Sequence, residues 1–121
     1  MGYKIEYTAN NEIVKIIIDG RVNFNTARKY SKEAIEFSLD YNCVKFLFDH
    51  SKTKLTEGIR RIYTDGDILE QFGFQPKDKI AILIECEKDD PLLRETNSIN
   101  AKWSNFRYFN SGKKALEWLI E

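Results

Sequence analysis

The residue types best suited to chemistry are adjacent at Asp49, His50 and Ser51, directly after an apolar run that begins at Val44. They are the types used in acid-base and nucleophilic catalysis. The run predicts a buried strand over 44–49, so the three residues are expected at the strand end, where ligand sites of α/β proteins lie. Neighbouring side chains of an extended backbone point to opposite faces, so these three cannot form a triad. We predict structural roles for Asp49 and His50 and no catalytic residues, with a small enzyme using Asp49 or His50 as the alternative.

A basic cluster follows these residues in the chain. Lys52, Lys54, Arg60 and Arg61 surround Thr56, where a helix is predicted to begin. Unpaired N–H groups and the positive dipole end of a helix favour an anion. The predicted anion-binding or ligand-binding surface comprises Asp49, His50, Lys52, Lys54, Thr56, Arg60 and Arg61. The alternative is a solvated run of charges partly offset by Glu57.

Sequence motifs of the common enzyme classes are missing. The chain has no Gly-x-Ser-x-Gly elbow, no P-loop and no dinucleotide-binding glycine pattern. With one histidine, a metal site would need carboxylates and thiols that are far apart in sequence. The sequence therefore predicts no metal, no cofactor and no enzyme activity.

Length and composition limit the class of protein. The 121 residues, 42% of them apolar, suit a single domain over 1–121. Nineteen basic and nineteen acidic side chains give no net charge, which disfavours nucleic acid as a partner and leaves a homodimer open. Cys43 and Cys86 form no CxxC pair and are predicted to be reduced, buried thiols. No apolar run is long enough for a membrane span and no signal peptide is recognisable, so a cytoplasmic location is expected.

Hydrophobic periodicity predicts the order ββαβαβα. Strands are predicted at 3–8, 12–19, 44–49, 80–85 and 105–109. Helices are predicted at 26–41 with Asn25 as N-cap, at 56–72 with an interruption at 65–67 and a stop at Gly73, from Pro91 to Trp103, and at 112–121 with Asn110 or Ser111 as cap. The first two strands form a hairpin, and helices connect the later strands by right-handed crossovers.

The predicted fold is an α/β three-layer sandwich with a mostly parallel five-stranded sheet and one antiparallel edge strand. The second strand is apolar on both faces and is expected to be covered by helices. The aromatic residues either fill the core or line an apolar cavity between sheet and helices. They are Tyr30, Phe37, Tyr63, Phe72, Phe74, Trp103, Phe106 and Trp118.

Two segments carry a family resemblance that spans nearly the whole chain. The strand-loop-helix pattern at 46–58 and the closing Phe-x(5)-Ala-Leu-x-Trp-Leu segment from Phe109 resemble the STAS-like superfamily, and within it the small bacterial SpoIIAA-like proteins. The resemblance implies a non-enzymatic regulatory or binding module that contacts a partner protein or binds a small apolar or anionic ligand. The fold of this branch is similar to that of lipid-binding CRAL-TRIO domains.

The resemblance also implies an alternative, a phosphorylation-controlled switch like the anti-sigma-factor antagonists. In those proteins a serine at the start of the helix after the third strand is phosphorylated, within an Asp-Ser-Ser/Thr-Gly signature. The matching stretch here is Leu55-Thr56-Glu57-Gly58, which keeps a hydroxyl and the glycine but lacks the acidic residue. Thr56, with Ser51 as a weaker second, is the phosphoacceptor that the resemblance implies. An intact-mass measurement on protein from the native host tests this alternative.

Overall fold

The computed structural model describes residues 2–21, 24–54, 70–75, 77–84 and 106–121. Its elements in chain order are β1 (Gly2–Thr8), β2 (Ile13–Arg21), α1 (Phe24–Leu39), β3 (Lys45–Lys54), β4 (Lys79–Ile84), β5 (Phe106–Phe109) and α2 (Gly112–Ile120). Residues 70–72 form the last turn of a further helix. The predicted interruption at 65–67, the predicted helix from Pro91 to Trp103, and Cys86 lie outside the described residues.

The five strands form one sheet in the order β1-β2-β3-β4-β5. β1 pairs antiparallel with β2, and each later pair is parallel. The predicted mixed sheet with an antiparallel edge strand is therefore confirmed. The order of the described strands never reverses, so these strands form no topological switch point, the place where open α/β sheets usually bind their ligands.

The main core lies between the sheet and α1. Alternate residues of each strand point to this face, which buries aliphatic and aromatic side chains of all the parallel strands. From the helical side it receives Ala27, Tyr30 and Ala34 of α1, spaced three or four residues apart as one helix face requires. The strand residues of this core are Val14, Ile16, Ile18, Phe46, Phe48, Ile80, Ile82, Ile84, Phe106 and Tyr108.

The opposite face of the sheet is covered by α2. Ala115 and Leu119 are fully buried there against Leu47 and Ala81. The helix is fixed at both ends. Its predicted cap is confirmed, since the Ser111 hydroxyl accepts a hydrogen bond from the backbone N–H of Lys114 at 3.4 Å. At its far end, Lys79 Nζ donates to the Trp118 carbonyl and lies 4.7 Å from the centre of the Trp118 ring.

Gly73 ends the helix before β4, as the sequence predicts. Its φ of +105° is a conformation that favours glycine, and an added Cβ would lie 3.2 Å from Cδ1 of Ile35. This turn places Phe72 and Phe74 in the main core, where Phe74 contacts both Phe46 and Phe48 edge to face.

Both predicted ends of the first helix are wrong. The helix begins at Phe24, so Asn25 is a helical residue and not the N-cap. It ends at Leu39, and Asn42 then adopts a positive φ of 52°. Tyr41 fits the apolar spacing of the helix but lies beyond its end. Its ring stacks on the ring of Tyr7 in β1, with 4.0 Å between the ring centres.

β2 also differs from the prediction. It is central by pairing, with β1 on one side and β3 on the other, yet only its α1 side is fully covered. On the α2 side, Lys15 and Ile17 are half-buried. Among the described residues, α2 is the helix that packs on this face, and its nine residues leave Lys15 and Ile17 partly exposed, so the expected complete cover is not found at these two positions.

Candidate functional site

β3 is longer than predicted and contains the first candidate residues within it. The prediction ended the strand at Asp49, but the strand continues to Lys54. Beyond His50, which is the last residue aligned with β4, the described pairing of β3 is with β2 alone. The residues at 51–54 are polar and lack the apolar run of 44–48, which explains why they suggested a loop.

A β-bulge interrupts the pairing of β2 and β3 at this point. Ile17 aligns with Asp49 and Asp19 aligns with Lys52, so one residue of β2 opposes two residues of β3. Asp49 stabilises the bulge, because its Oδ1 accepts hydrogen bonds from the backbone N–H of Ser51 at 2.9 Å and from the Ser51 hydroxyl at 2.5 Å. These contacts give Asp49 a structural role.

His50 lies on the other face of the sheet from Asp49. Its side chain is fully buried, on the face that α1 covers, by the alternation it shares with Phe46 and Phe48. Burial lowers the His50 pKa from 6.5 to about 4, and the nearby Asp49 charge raises it only partly. His50 is therefore neutral at pH 7. The structure does not bring Asp49 and His50 together as an acid-base pair.

The basic cluster is described only at its beginning. Lys52 is exposed and aligns with the exposed Asp19 of β2. The backbone of Lys54 pairs with Arg21, while the Lys54 side chain lies outside the described part of the chain. Thr56, Arg60 and Arg61 also lie outside it, so the anion-binding surface stays a prediction.

Replacing Asp49 with alanine is expected to lower the free energy of unfolding by about 1 to 3 kcal/mol, because a backbone N–H inside the bulge loses its acceptor. Asp49→Asn keeps one side-chain oxygen as an acceptor and should lower the free energy of unfolding less than Asp49→Ala does. Ser51→Ala removes only the hydroxyl and serves as the matched control. Urea denaturation measures all three variants, and an Asp49→Ala protein as stable as wild type would contradict the structural role.

The aromatic residues mostly fill the core. Tyr30, Phe72, Phe74 and Phe106 are buried in the main cluster, with Phe37 packed at its margin. Trp118 is half-buried on the α2 side. Tyr63 and Trp103 lie outside the described residues. None of these aromatic residues that the structure describes lines either of the two cavities of about 160 and 250 Å³ that the described residues form.

Two cavities lie elsewhere in the described structure. One of about 160 Å³ lies at the C-terminal end of α1, and its lining combines Cys43 and Asp78 with other polar and apolar residues. Cys43 is buried as a free thiol, as predicted. Burial raises the pKa of the Asp78 carboxyl, although a hydrogen bond from the Gln75 N–H at 2.9 Å opposes this shift. Neither cavity is lined by Asp49, His50 or Lys52.

The second cavity is a groove of about 250 Å³ between α2 and β2. Sequence reasoning missed it. Its lining residues are Thr8, Asn11, Ile13, Lys15, Leu47, Leu83, Gly112 and Leu116. The available signal was Lys15, a lone charge inside the apolar run of β2, but the position of α2 beside it depends on tertiary packing.

Two further observations concern the described residues only. They include no group of three or more His, Cys, Asp or Glu side chains placed to hold a metal ion. Among their helices, none has the length and apolar character that crossing a membrane requires.

Comparison with known proteins connects this geometry to a known fold. No family model matches the sequence, and a search of curated proteins finds no match. Among solved structures, the chain is similar to an anti-sigma factor antagonist from Mycobacterium paratuberculosis, with a TM-score of 0.57 and 12% sequence identity. The similarity covers 99% of this chain and 96% of that protein.

The chain has a STAS-like fold. The near-complete coverage of both chains means that the alignment takes in the whole architecture and not one βαβ unit. At 12% identity the likeness establishes the fold and leaves the function to be argued from the residues. The STAS-like resemblance in the sequence is thereby confirmed at the level of fold.

Proposed function

We propose that this protein is a non-enzymatic regulatory module of the bacterial cytoplasm that acts by binding a partner protein. The observation that carries the proposal is the match over nearly the full length of an anti-sigma factor antagonist, a protein whose name denotes action on another protein. The buried free thiol of Cys43 is consistent with a reducing compartment. Asp49 and His50 support this reading, because one stabilises a bulge and the other is buried on the opposite face.

The proposed contact surface is the β2–β3 ribbon, which consists of residues 19–21 of β2 and 52–54 of β3. These two segments pair with each other beyond the last residue aligned with β4. The ribbon exposes charges of both signs at Asp19 and Lys52, which suits a contact that uses charge to select its partner. In the sequence, Thr56 follows the last residue of the ribbon by two positions, and it is the position at which the STAS resemblance implies regulation.

The phosphorylation-controlled switch is a finer form of this proposal, and it favours Thr56 over Ser51. The Ser51 hydroxyl donates to Asp49 Oδ1 at 2.5 Å. A phosphoryl group on Ser51 would lose this bond and place about two negative charges beside a carboxylate. Thr56 also matches the position of the phosphorylated serine in the antagonists that the sequence resembles.

The test is calorimetric titration of the purified chain with each anti-sigma factor of its native host. Lys52→Glu is expected to weaken binding roughly tenfold, because it reverses a charge in the contact surface. Lys77→Glu is the matched control, since it makes the same charge change at an exposed site just before the N-terminal end of β4, whereas the ribbon lies at the C-terminal ends of β2 and β3. Binding that Lys52→Glu and Lys77→Glu weaken equally, or no binding to any of these proteins, would contradict the proposal.

A further inference from the structure

The groove between α2 and β2 combines an apolar floor with one cationic side chain. Ile13, Leu47, Leu83 and Leu116 contribute its apolar lining, and Lys15 is the one charged residue of that lining. Leu116 is 37% exposed, so the groove opens to solvent along α2. Such a combination of an apolar wall with a single charge is typical of small-molecule sites.

The Lys15 ammonium group is available to a ligand. Its cross-strand neighbour on the same face is Glu6, but the Glu6 carboxylate forms its ion pair with Lys4, at 3.5 Å. Among the described residues, Lys15 has no ion pair of its own. A half-buried ammonium group without a counter-ion gains more from an incoming anion than a fully solvated one does.

The electrostatics of the groove are asymmetric. Lys15 aligns with Leu47 in the middle row of the sheet, while Asp49 aligns with Leu83 in the next row toward the N-terminus of α2. The Asp49 carboxylate would repel an anion at the Leu83 end. An anionic head group is therefore stabilised at Lys15, and an apolar chain is accommodated against Leu47, Leu83 and Leu116.

The volume sets the size of the apolar chain. A dry protein cavity of roughly 150 Å³ accommodates benzene, which has six carbon atoms. By that measure the groove, at about 250 Å³, has room for roughly ten carbon atoms. A chain of this length matches a medium-chain carboxylate better than a membrane phospholipid with two long chains.

We propose that the groove between α2 and β2 binds a medium-chain amphiphilic anion, with its carboxylate at Lys15 and its chain on the apolar lining. This inference goes beyond the proposed protein contact and does not depend on it. The test uses no protein partner, so its failure would leave the partner-binding proposal intact.

The experiment is a titration of the full chain with decanoate, below the concentration at which decanoate forms micelles, followed by calorimetry and by NMR. We expect saturable binding of one decanoate per chain. Lys15→Met keeps much of the apolar stem, removes the charge and is expected to weaken binding about tenfold or more. Lys29→Met, which removes an exposed charge from α1, is the control and should leave binding unchanged.

Two further variants keep the test independent of folding defects. Glu6→Gln removes the carboxylate across the strand from Lys15 and is expected to strengthen decanoate binding several-fold. A merely structural role for Glu6 or Lys15 would not produce such a gain. Leu116→Glu, at a partly exposed position, places a negative charge on the groove wall and should abolish binding.

Titrations with ligands that share the ten-carbon chain but differ in head group identify the chemistry that the groove recognises. Decyl sulfate should bind as decanoate does, and decanol should bind as weakly as decanoate binds Lys15→Met. Equal binding of decanoate and decyltrimethylammonium would overturn the proposal, because it indicates apolar adsorption without charge recognition. Absence of saturable decanoate binding would also overturn the proposal. A wild-type dimer that Leu116→Glu converts to a monomer would overturn it as well, because a second copy of the chain would then cover the groove.

Discussion

Acidification from pH 6.5 to pH 4 is expected to lower the free energy of unfolding by about 3 kcal/mol through His50 alone. The folded-state pKa of His50, about 4, lies below the unfolded value of 6.5. Between these values the unfolded chain binds a proton that the folded protein excludes, so acid favours unfolding. The contribution of His50 is fully present above pH 6.5 and is lost as the pH falls toward 4.

The sign of this effect separates His50 from the other buried titrating group described above. The pKa of Asp78 is raised by burial, so the folded protein holds that proton more tightly than the unfolded chain. Acidification through the Asp78 range therefore stabilises the fold and cannot account for the expected loss. The two groups oppose each other, and His50 has the larger expected effect because it is fully buried.

The measurement is urea denaturation at a series of pH values for wild type and for His50→Leu. The variant removes the titrating group and should lose the part of the pH dependence between 6.5 and 4 that His50 contributes, which leaves the opposite contribution of Asp78. If wild type and His50→Leu showed the same dependence of the free energy of unfolding on pH, His50 would not be buried in its neutral form.

Replacing Phe48 with alanine is expected to lower the free energy of unfolding by about 3 to 5 kcal/mol. Phe48 is fully buried on β3 in the main core. Its ring lies edge to face with the ring of Phe74, with 5.8 Å between the ring centres. The substitution leaves a cavity bounded by the sheet and by the segment after Gly73. A loss of this size is a large fraction of the stability of a domain of this length.

Phe37→Ala is the matched control for this prediction. Phe37 lies at the margin of the same core and is half-buried, so Phe37→Ala should lower the free energy of unfolding clearly less than Phe48→Ala does. Thermal and urea denaturation measure both variants. Losses of equal size would mean that Phe48 is not at the centre of the core.

The helices and strands of this fold were predictable because the side chains they bury recur at regular spacings in the sequence. The apolar alternation or runs at Ile13, Phe46 and Ile80 identify strands, since each strand packs residues against one or both layers. Ser111 and Gly73 mark a helix start and a helix end through local chemistry, and both predictions hold. The STAS-like resemblance followed from the order of these elements and from the closing segment after Phe109.

The features that matter for binding were not predictable in the same way. The bulge at His50 and Ser51 depends on how β3 aligns with β2, which no local pattern specifies. The residues of the β2–β3 ribbon are polar, and a run of polar residues is also typical of a loop. The charge of Lys15 is visible in the sequence, but its place in a groove depends on where α2 packs.

The central claim is that a partner protein binds at the β2–β3 ribbon, and hydrogen exchange tests it most directly. Amide exchange is measured for the chain alone and with an anti-sigma factor of its host in saturating amount. We predict slower exchange in residues 19–21 and 52–54 and unchanged exchange in residues 77–79, which lead into the N-terminal end of β4. Slower exchange confined to residues 77–79 or to α1, with the ribbon unaffected, would contradict the account.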